Sequence, residues 1–163
     1  MWNNTNIPLA YLITFRCYGT WLHGDRRGST NRFRNEYGTR HLPRDDSWRE
    51  TNKARMKDDP VGLTERQRAA VEKAVKETCR IRQWDLYAVN ARPKHVHLVV
   101  SAALRKAELM LNAFKANATR TMREDGCWSL KSTPWARKGQ RGKPLERAKY
   151  HECDRLCVVR AGR

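Results

Sequence analysis

The residues best suited to chemistry are His95 and His97, which stand one residue apart in the run HVHLVV. Side chains of a β-strand alternate between its two faces, so a strand here turns both imidazoles to one side and Val96, Leu98 and Val100 to the other. Two neutral imidazoles on one face can approach a single divalent cation. The same pattern also describes two solvent-facing histidines on a half-buried strand, and the motif alone does not separate these two interpretations.

The histidine strand has a predicted partner immediately before it. Residues 84–91 (WDLYAVNA) also alternate, with Leu86, Ala88 and Asn90 expected on one face. Pro93 follows and cannot donate a hydrogen bond to a sheet, so it marks a strand boundary. We therefore predict an antiparallel hairpin whose second arm carries the two histidines.

Three further elements position this hairpin. Residues 9–18 alternate with a period of two and predict a first strand with one core face. Thr64 and Gln67 form a capping box that begins an amphipathic helix, whose apolar side extends to Ile81. A second amphipathic helix is predicted over residues 105–123. With a last strand near the C-terminus, this order is the ferredoxin-like βαββαβ arrangement, an α+β fold with an antiparallel sheet and helices on one face.

A long stretch separates the first strand from the first helix. Residues 19–62 are rich in Gly, Arg, Asn and Asp with little periodicity, and we expect a basic and aromatic insertion within a single domain spanning residues 1–163. A groove for single-stranded nucleic acid needs cations for the phosphates and aromatic rings for the unpaired bases. Such residues in this stretch are Arg26, Arg27, Arg32, Arg34 and Arg40, with Trp21, Phe33, Tyr37 and Trp48. A solvated insertion that its aromatic residues anchor to the domain accounts for the same composition.

The charge of the chain limits the class of partner. Its 163 residues include 34 Lys and Arg against 17 Asp and Glu, which gives a formal net charge of +17. The excess is spread along the chain rather than confined to a tail. A nucleic acid is the partner that best fits this surface.

The cysteines and the apolar segments bear on the compartment. The five cysteines include no Cys-x-x-Cys pair, which predicts reduced thiols rather than a zinc knuckle or a disulfide framework. The sequence also lacks a signal-like or membrane-length apolar run. We therefore expect a cytoplasmic protein that does not contact a membrane.

The histidine strand within this order of elements resembles the single-tyrosine HUH transposases of small insertion sequences, in particular the branch associated with repetitive extragenic palindromes (REP). His95-Val96-His97 is similar to that family's metal motif. The segments ITFRCYGTWL, in the first strand and after it, and NAFKANATR, in the second helix, also resemble the family. The resemblance extends over residues 8–140.

The resemblance implies an activity and a set of site residues. Such enzymes cut single-stranded DNA beside a hairpin and rejoin it through a covalent 5′-phosphotyrosine, which conserves the energy of the broken ester. By this resemblance, His95 and His97 would hold Mg²⁺ or Mn²⁺, which polarises the scissile phosphate. The family also implies a homodimer that binds single-stranded or hairpin DNA. Candidate DNA contacts in this chain are Arg16, Lys94, Lys115, Arg120, Arg137 and Lys138.

The nucleophile is where the chain departs from the family pattern. The family has an amphipathic tyrosine helix after the last strand, but residues 141–163 are atypical and contain one tyrosine, Tyr150, with Asp154 four residues later. A helix would place these two on one face, as nucleophile and third metal ligand. A single-base frameshift at residues 140–144 is another explanation. Read from the second base of each codon, residues 145–163 permit a tyrosine-containing helix, and its loss would have inactivated the enzyme.

Two other functions fit parts of the pattern. A non-catalytic ferredoxin-like module that binds nucleic acid would leave the histidines incidental. Sheets of that kind usually stack bases on exposed aromatic residues of the central strands, and the run HVHLVV has none. A histidine phosphoesterase would need a further histidine motif, for which His23, His41 and His151 provide no fitting context.

Overall fold

The computed structural model describes residues 10–29, 40–101 and 105–137, together with the backbone of residues 140–144. The elements are β1 (Tyr11–Arg16), α1 (Asp46–Ala54), α2 (Glu65–Arg82), β2 (Asp85–Ala91), β3 (His95–Ser101), α3 (Ala107–Glu124) and β4 (Gln140–Pro144). The four strands form one antiparallel sheet in the order β2-β3-β1-β4. Apart from α1, this is the split βαββαβ arrangement, so the predicted ferredoxin-like α+β fold is confirmed.

One face of the sheet packs against α2 and α3 and forms the main core. Ile13 and Phe15 of β1 are fully buried there, as are Val96, Leu98 and Val100 of β3. The helices contribute Val71, Val75, Met110, Phe114 and Met122. Each such side chain contributes about 1.5–3 kcal/mol by its burial. Because these aliphatic residues of β3 must face the core, the histidines between them face the other way.

The first long helix begins as predicted and ends with one difference. Thr64 Oγ1 accepts from Gln67 N at 3.3 Å, and Gln67 Oε1 accepts from Thr64 N at 2.9 Å, so the capping box is present. Ile81, which was expected on the apolar side, is 60% exposed. Thr78 and Cys79 occupy the core side of the last turn instead, and the helix ends one residue after Ile81.

The stretch expected to be an insertion is not all loop. Asp45 is the N-cap of α1, and its side chain accepts from Trp48 N at 2.9 Å. The helix has no buried residue. Its nine residues include only two apolar ones, Trp48 and Ala54, which are too few to predict an amphipathic helix from apolar periodicity. Residues 30–39, with Arg32, Arg34, Phe33 and Tyr37, lie outside the described residues.

The predicted hairpin of β2 and β3 is confirmed, with one irregularity. A β-bulge between Leu86 and Ala88 shifts the register of the pairing. Leu86 packs against the main core, whereas Ala88 belongs to a small apolar cluster on the other side of the sheet. The prediction that these two residues share a face with Asn90 is therefore wrong for Leu86. A bulge adds one residue to one strand, and alternation alone cannot reveal it.

Within the described ranges, no helix is long and apolar enough to cross a membrane.

The described cysteines Cys17, Cys79 and Cys127 are free. Burial raises the pKa of Cys17 and of Cys79 to about 12, so these two thiols stay protonated at neutral pH. Cys153 and Cys157 lie outside the described residues.

Candidate functional site

His95 and His97 lie side by side on the face of the sheet opposite α2 and α3, which we call the histidine face. Their ring centroids are 4.5 Å apart, and the ring planes make an angle of 69°. Both side chains are half-buried on β3, which has β2 on one side and β1 on the other. The two imidazoles are close enough to approach a single cation.

Thr14 orients the ring of His97. It lies opposite His97 in the pairing of β1 with β3, and its Oγ1 is 2.8 Å from His97 Nδ1. When Nδ1–H donates to this hydroxyl, Nε2 keeps the lone pair that a metal ion requires. Histidines that bind metals usually have such a partner on the second ring nitrogen. Sequence reasoning missed Thr14, because only the register places it beside His97.

The surroundings of the two imidazoles favour their neutral forms. Burial, together with the charges of His95 and Arg92, lowers the pKa of His97 to about 4. Burial is also the main cause that lowers the pKa of His95, and the charges of Arg92, Arg16 and Arg27 lower it further. A neutral imidazole offers its lone pair to a metal ion, whereas a protonated one does not. At neutral pH both rings are therefore mainly neutral, each with one nitrogen lone pair.

The described residues bring together two candidate metal ligands and no more. Within residues 10–29, 40–101 and 105–137, no group of three or more His, Cys, Asp or Glu side chains comes together to hold a metal. Both expected ions, Mg²⁺ and Mn²⁺, prefer oxygen ligands, although Mn²⁺, as a transition-metal ion, accepts imidazole nitrogen more readily than Mg²⁺ does. Further ligands must come from a bound phosphate, from water or from residues beyond those described.

Cationic side chains border the histidine pair where β3 begins. Arg16 is the β1 residue opposite His95, and Arg92 and Lys94 belong to the turn between β2 and β3. Arg27, from the loop after β1, is near enough for its charge to lower the pKa of His95. A phosphodiester at the histidine pair would thus lie among positive charges. Of the predicted DNA contacts, Arg16 and Lys94 lie here, and sequence reasoning missed Arg92.

Two solved structures resemble the chain over 91% of its length. One, from Deinococcus radiodurans R1, is provisionally named a transposase, with 9% identity, 88% of that chain covered and a TM-score of 0.47. The other is a REP-associated tyrosine transposase bound to a REP hairpin, with 12% identity and a TM-score of 0.44, and this chain spans 64% of its length. No family model and no curated protein matches the chain. Identities and TM-scores this low do not transfer a function, which must be argued from the residues of the site.

The other predicted DNA contacts lie away from the histidine pair or have other partners. Lys115 of α3 is half-buried and donates through Nζ to Ala136 O at 2.9 Å, and burial lowers its pKa. This position favours a structural role. Arg120 is exposed on α3, on the other side of the sheet, where its Nε lies 3.7 Å from Glu124 Oε1. Arg137 is exposed and follows the segment that pairs with the end of β1.

Two predicted site residues, Lys138 and Tyr150, lie outside the described residues. The same holds for Asp154 and for the rest of the tail after residue 144. The tyrosine nucleophile and the third metal ligand therefore stay predictions from the sequence.

Proposed function

We propose that this chain is a metal-dependent transposase that cuts and rejoins single-stranded DNA beside hairpins, or a decayed form of such an enzyme. One observation carries the proposal. Two imidazoles that burial keeps neutral lie 4.5 Å apart on the histidine face of a ferredoxin-like sheet, with cationic side chains at one end. A site that only binds nucleic acid has no need for two neighbouring imidazoles in their neutral forms, because a neutral ring does not attract a phosphate by charge.

On the histidine face, some residues bind the DNA strand and others take part in the chemistry. Arg16, Arg92 and Lys94 neutralise phosphates of the strand and hold it against the sheet. His95 and His97 would hold Mn²⁺ or Mg²⁺, which, when bound, polarises the scissile phosphate. Thr14 keeps one nitrogen of the neighbouring imidazole available for that ion.

The nucleophile in this proposal is a tyrosine of the C-terminal tail. Its hydroxyl attacks the scissile phosphorus, a bond from phosphorus to the tyrosine oxygen forms, and the bond to the 3′-oxygen breaks. The tyrosine loses a proton, and the released strand gains a 3′-hydroxyl. A later attack by a 3′-hydroxyl on the phosphotyrosine reseals the strand. The number of ester bonds is constant, so no ATP is required. The in-frame candidate is Tyr150.

The tail sequence supports a frameshift. In frame, residues 145–163 have no convincing apolar stripe, and they include Cys153 and Cys157. Read from the second base of each codon, the same residues permit WNERSITNAIDYVLYGQG, whose first tyrosine codon spans Leu156 and Cys157. This alternative run has apolar residues at helical spacing around its tyrosine. In this proposal, a single-base shift at residues 140–144 replaced the native tyrosine helix.

A non-catalytic nucleic-acid-binding module is the second candidate. The in-frame tail supports this non-catalytic module. The tail contains Tyr150 and Asp154 but lacks the amphipathic pattern of a helix that could place them at the histidine pair. Such a module would use the same basic end of the histidine face and would need no metal ion. It would bind a hairpin strand and leave it intact.

The test compares three chains on a labelled hairpin oligonucleotide with single-stranded flanks, in Mn²⁺ and in EDTA. These are the chain as it stands, the Tyr150→Phe variant and a chain whose tail is read in the second frame. We expect the second-frame chain to form a covalent protein–DNA adduct in Mn²⁺ alone, with the linked tyrosine mapped by mass spectrometry. Hairpin binding without an adduct in any of the three would instead support the non-catalytic module.

Matched histidine variants in the adduct-forming chain locate the chemistry. His95→Ala and His97→Ala should each abolish the adduct. His23→Ala should retain it, because His23 is exposed and stacks on Trp48, with ring centroids 4.8 Å apart. An adduct that survives loss of both His95 and His97 contradicts the proposed site. The frameshift is tested by sequencing the gene in this source and in close relatives. If close relatives encode the same tail in an intact reading frame, the frameshift is ruled out.

A further inference from the structure

The loop after β1 holds two guanidinium groups over one indole ring. Arg16 Cζ lies 4.3 Å from the Trp21 ring centroid, and Arg27 Cζ lies 4.6 Å from it. Trp21 Nε1 donates to Gly28 O at 2.8 Å, which fixes the ring. We call Arg16, Trp21 and Arg27 the arginine clamp. It lies beside the histidine pair, because Arg16 is opposite His95 in the sheet.

Asp25 holds the Arg27 side chain of the clamp in one orientation. Arg27 Nε donates to Asp25 Oδ1 at 2.8 Å, and Nη2 donates to Asp25 Oδ2 at 3.0 Å. Nη2 also donates to Thr20 O at 3.2 Å. Among the described residues Nη1 has no hydrogen-bond acceptor. Since the Arg27 side chain is 53% exposed, Nη1 can donate to a ligand that arrives from solvent.

Arg16, the second arginine of the clamp, carries a half-buried charge that has no counterion among the described residues. Its guanidinium makes no hydrogen bond or ion pair with any described residue. Burial and the nearby charge of Arg27 both lower its pKa. A charge removed from water without a partner costs free energy, and so do two like charges held near each other. An anion bound beside these guanidiniums would offset both costs, and phosphate oxygens match the N–H groups of arginine.

Hydrogen bonds hold the loop that carries the clamp at its start and near Gly28. Cys17 N donates to Lys94 O at 2.9 Å, which ties the start of the loop to the turn before His95. Gly28 has φ of +80°, and a Cβ at this position would lie 2.7 Å from His41 Cβ, so a side chain does not fit. This left-handed glycine supplies the carbonyl that holds Trp21. The clamp is thus preorganised for its ligand.

We propose that the arginine clamp binds a backbone phosphodiester of single-stranded DNA next to the phosphate that reaches His95 and His97, and that Asp25 is its positioning residue. The identity of the anion rests on the proposed function. Inorganic phosphate presents the same oxygens and is the competing source.

The test is a scan of a single-stranded oligonucleotide in which one phosphate at a time is replaced by an uncharged methylphosphonate. Binding to the full chain is followed by fluorescence anisotropy without metal. We expect one position where affinity falls about tenfold, because charge-assisted hydrogen bonds are lost. Arg16→Gln and Arg27→Gln should lose less than about twofold at that position, since the interaction is already absent. Arg80→Gln, an exposed change on α2, should keep the full loss.

Asp25→Asn separates the clamp from general electrostatic attraction. The variant raises the net charge of the chain by one unit, so diffuse attraction predicts tighter binding. The clamp predicts binding about threefold to tenfold weaker, with a smaller methylphosphonate effect at the same phosphate, because Arg27 loses the carboxylate that aims it. Asp58→Asn is the matched control: it makes the same charge change at an exposed site after α1 and should not weaken binding.

Each contrary outcome has a distinct meaning. A scan in which no position depends on Arg16 or Arg27, or an Asp25→Asn variant that binds as tightly as Asp58→Asn, overturns the clamp. If the clamp variants weaken binding of inorganic phosphate in calorimetry but leave the scan unchanged, the site takes free phosphate and the DNA clamp is overturned. The scan requires no cleavage. An intact scan without any adduct therefore supports the clamp while refuting transposase activity.

Discussion

At the scale of single residues, Thr14 shows how a hydroxyl can prepare an imidazole to bind metal. Thr14→Val keeps the shape of the side chain but removes the 2.8 Å contact with His97 Nδ1. We expect Mn²⁺ affinity to fall about tenfold to a hundredfold, because the ring is no longer held in one tautomer. The electron paramagnetic resonance signal of free Mn²⁺ measures this affinity. Thr14→Ser keeps the hydroxyl and should bind nearly as the unmodified chain does. Equal affinity in the valine variant would show that the hydroxyl does not orient the ring.

The lowered pKa of His97 also predicts how stability depends on pH. Its pKa is about 4 in the folded chain, against an ordinary value of 6.5. Because the unfolded chain takes up the proton first, the free energy of unfolding falls as pH decreases from 6.5 towards about 4. The dependence fades over about one pH unit above 6.5, because the unfolded chain then also leaves this histidine neutral.

Urea denaturation in EDTA, at several values between pH 7.5 and about pH 5, measures this effect. His97→Gln should lose less stability over this range than the unmodified chain, because the residue no longer titrates. Carboxylates titrate in both chains, so the difference between the two chains isolates the histidine. The same loss in both would mean that folding leaves the pKa of His97 unchanged.

At the scale of elements, Lys115 tests whether α3 contacts DNA or only supports the sheet. Lys115→Met removes the bond to Ala136 O, which joins α3 to the segment beside the end of β1. We expect the free energy of unfolding to fall by about 1.5–3 kcal/mol, because the donor is charged, with no change in the salt dependence of DNA binding. Lys94→Met, in the turn beside the histidines, should reduce the salt dependence of DNA binding and leave the free energy of unfolding nearly unchanged. If Lys115→Met reduces the salt dependence as much as Lys94→Met does, then Lys115 contacts a phosphate.

At the scale of the whole molecule, the net charge of +17 raises the question of how much basic surface a bound strand covers. If the strand is confined to the basic end of the histidine face, it meets Arg16, Arg27, Arg92 and Lys94. Each cation contributes about 0.7 to the slope of log affinity against log salt for single strands, so we expect a slope of about −3. A fourfold rise in salt should then weaken binding about fiftyfold. Titrations at increasing salt give the slope, and about −6 or steeper would place the strand on additional basic surfaces.

The sequence by itself determined the order of the strands and of the two long helices, and the orientation of the histidines. Alternation over two residues is a local property of a strand, so HVHLVV was enough to separate the imidazoles from the core residues of β3. The capping box at Thr64 is equally local, and α2 begins there. Local patterns could not predict α1, which has only two apolar residues, or the bulge that moves Leu86 to the core side.

Only the tertiary structure decided what surrounds the histidine pair. Thr14 lies 83 residues before His97 in the chain and reaches it through the register of β1 against β3. Trp21 and Arg27 lie beside that pair because the loop after β1 is tied to the turn at Lys94. Register and loop closure depend on contacts between distant parts of the chain, and no local pattern of residues specifies them.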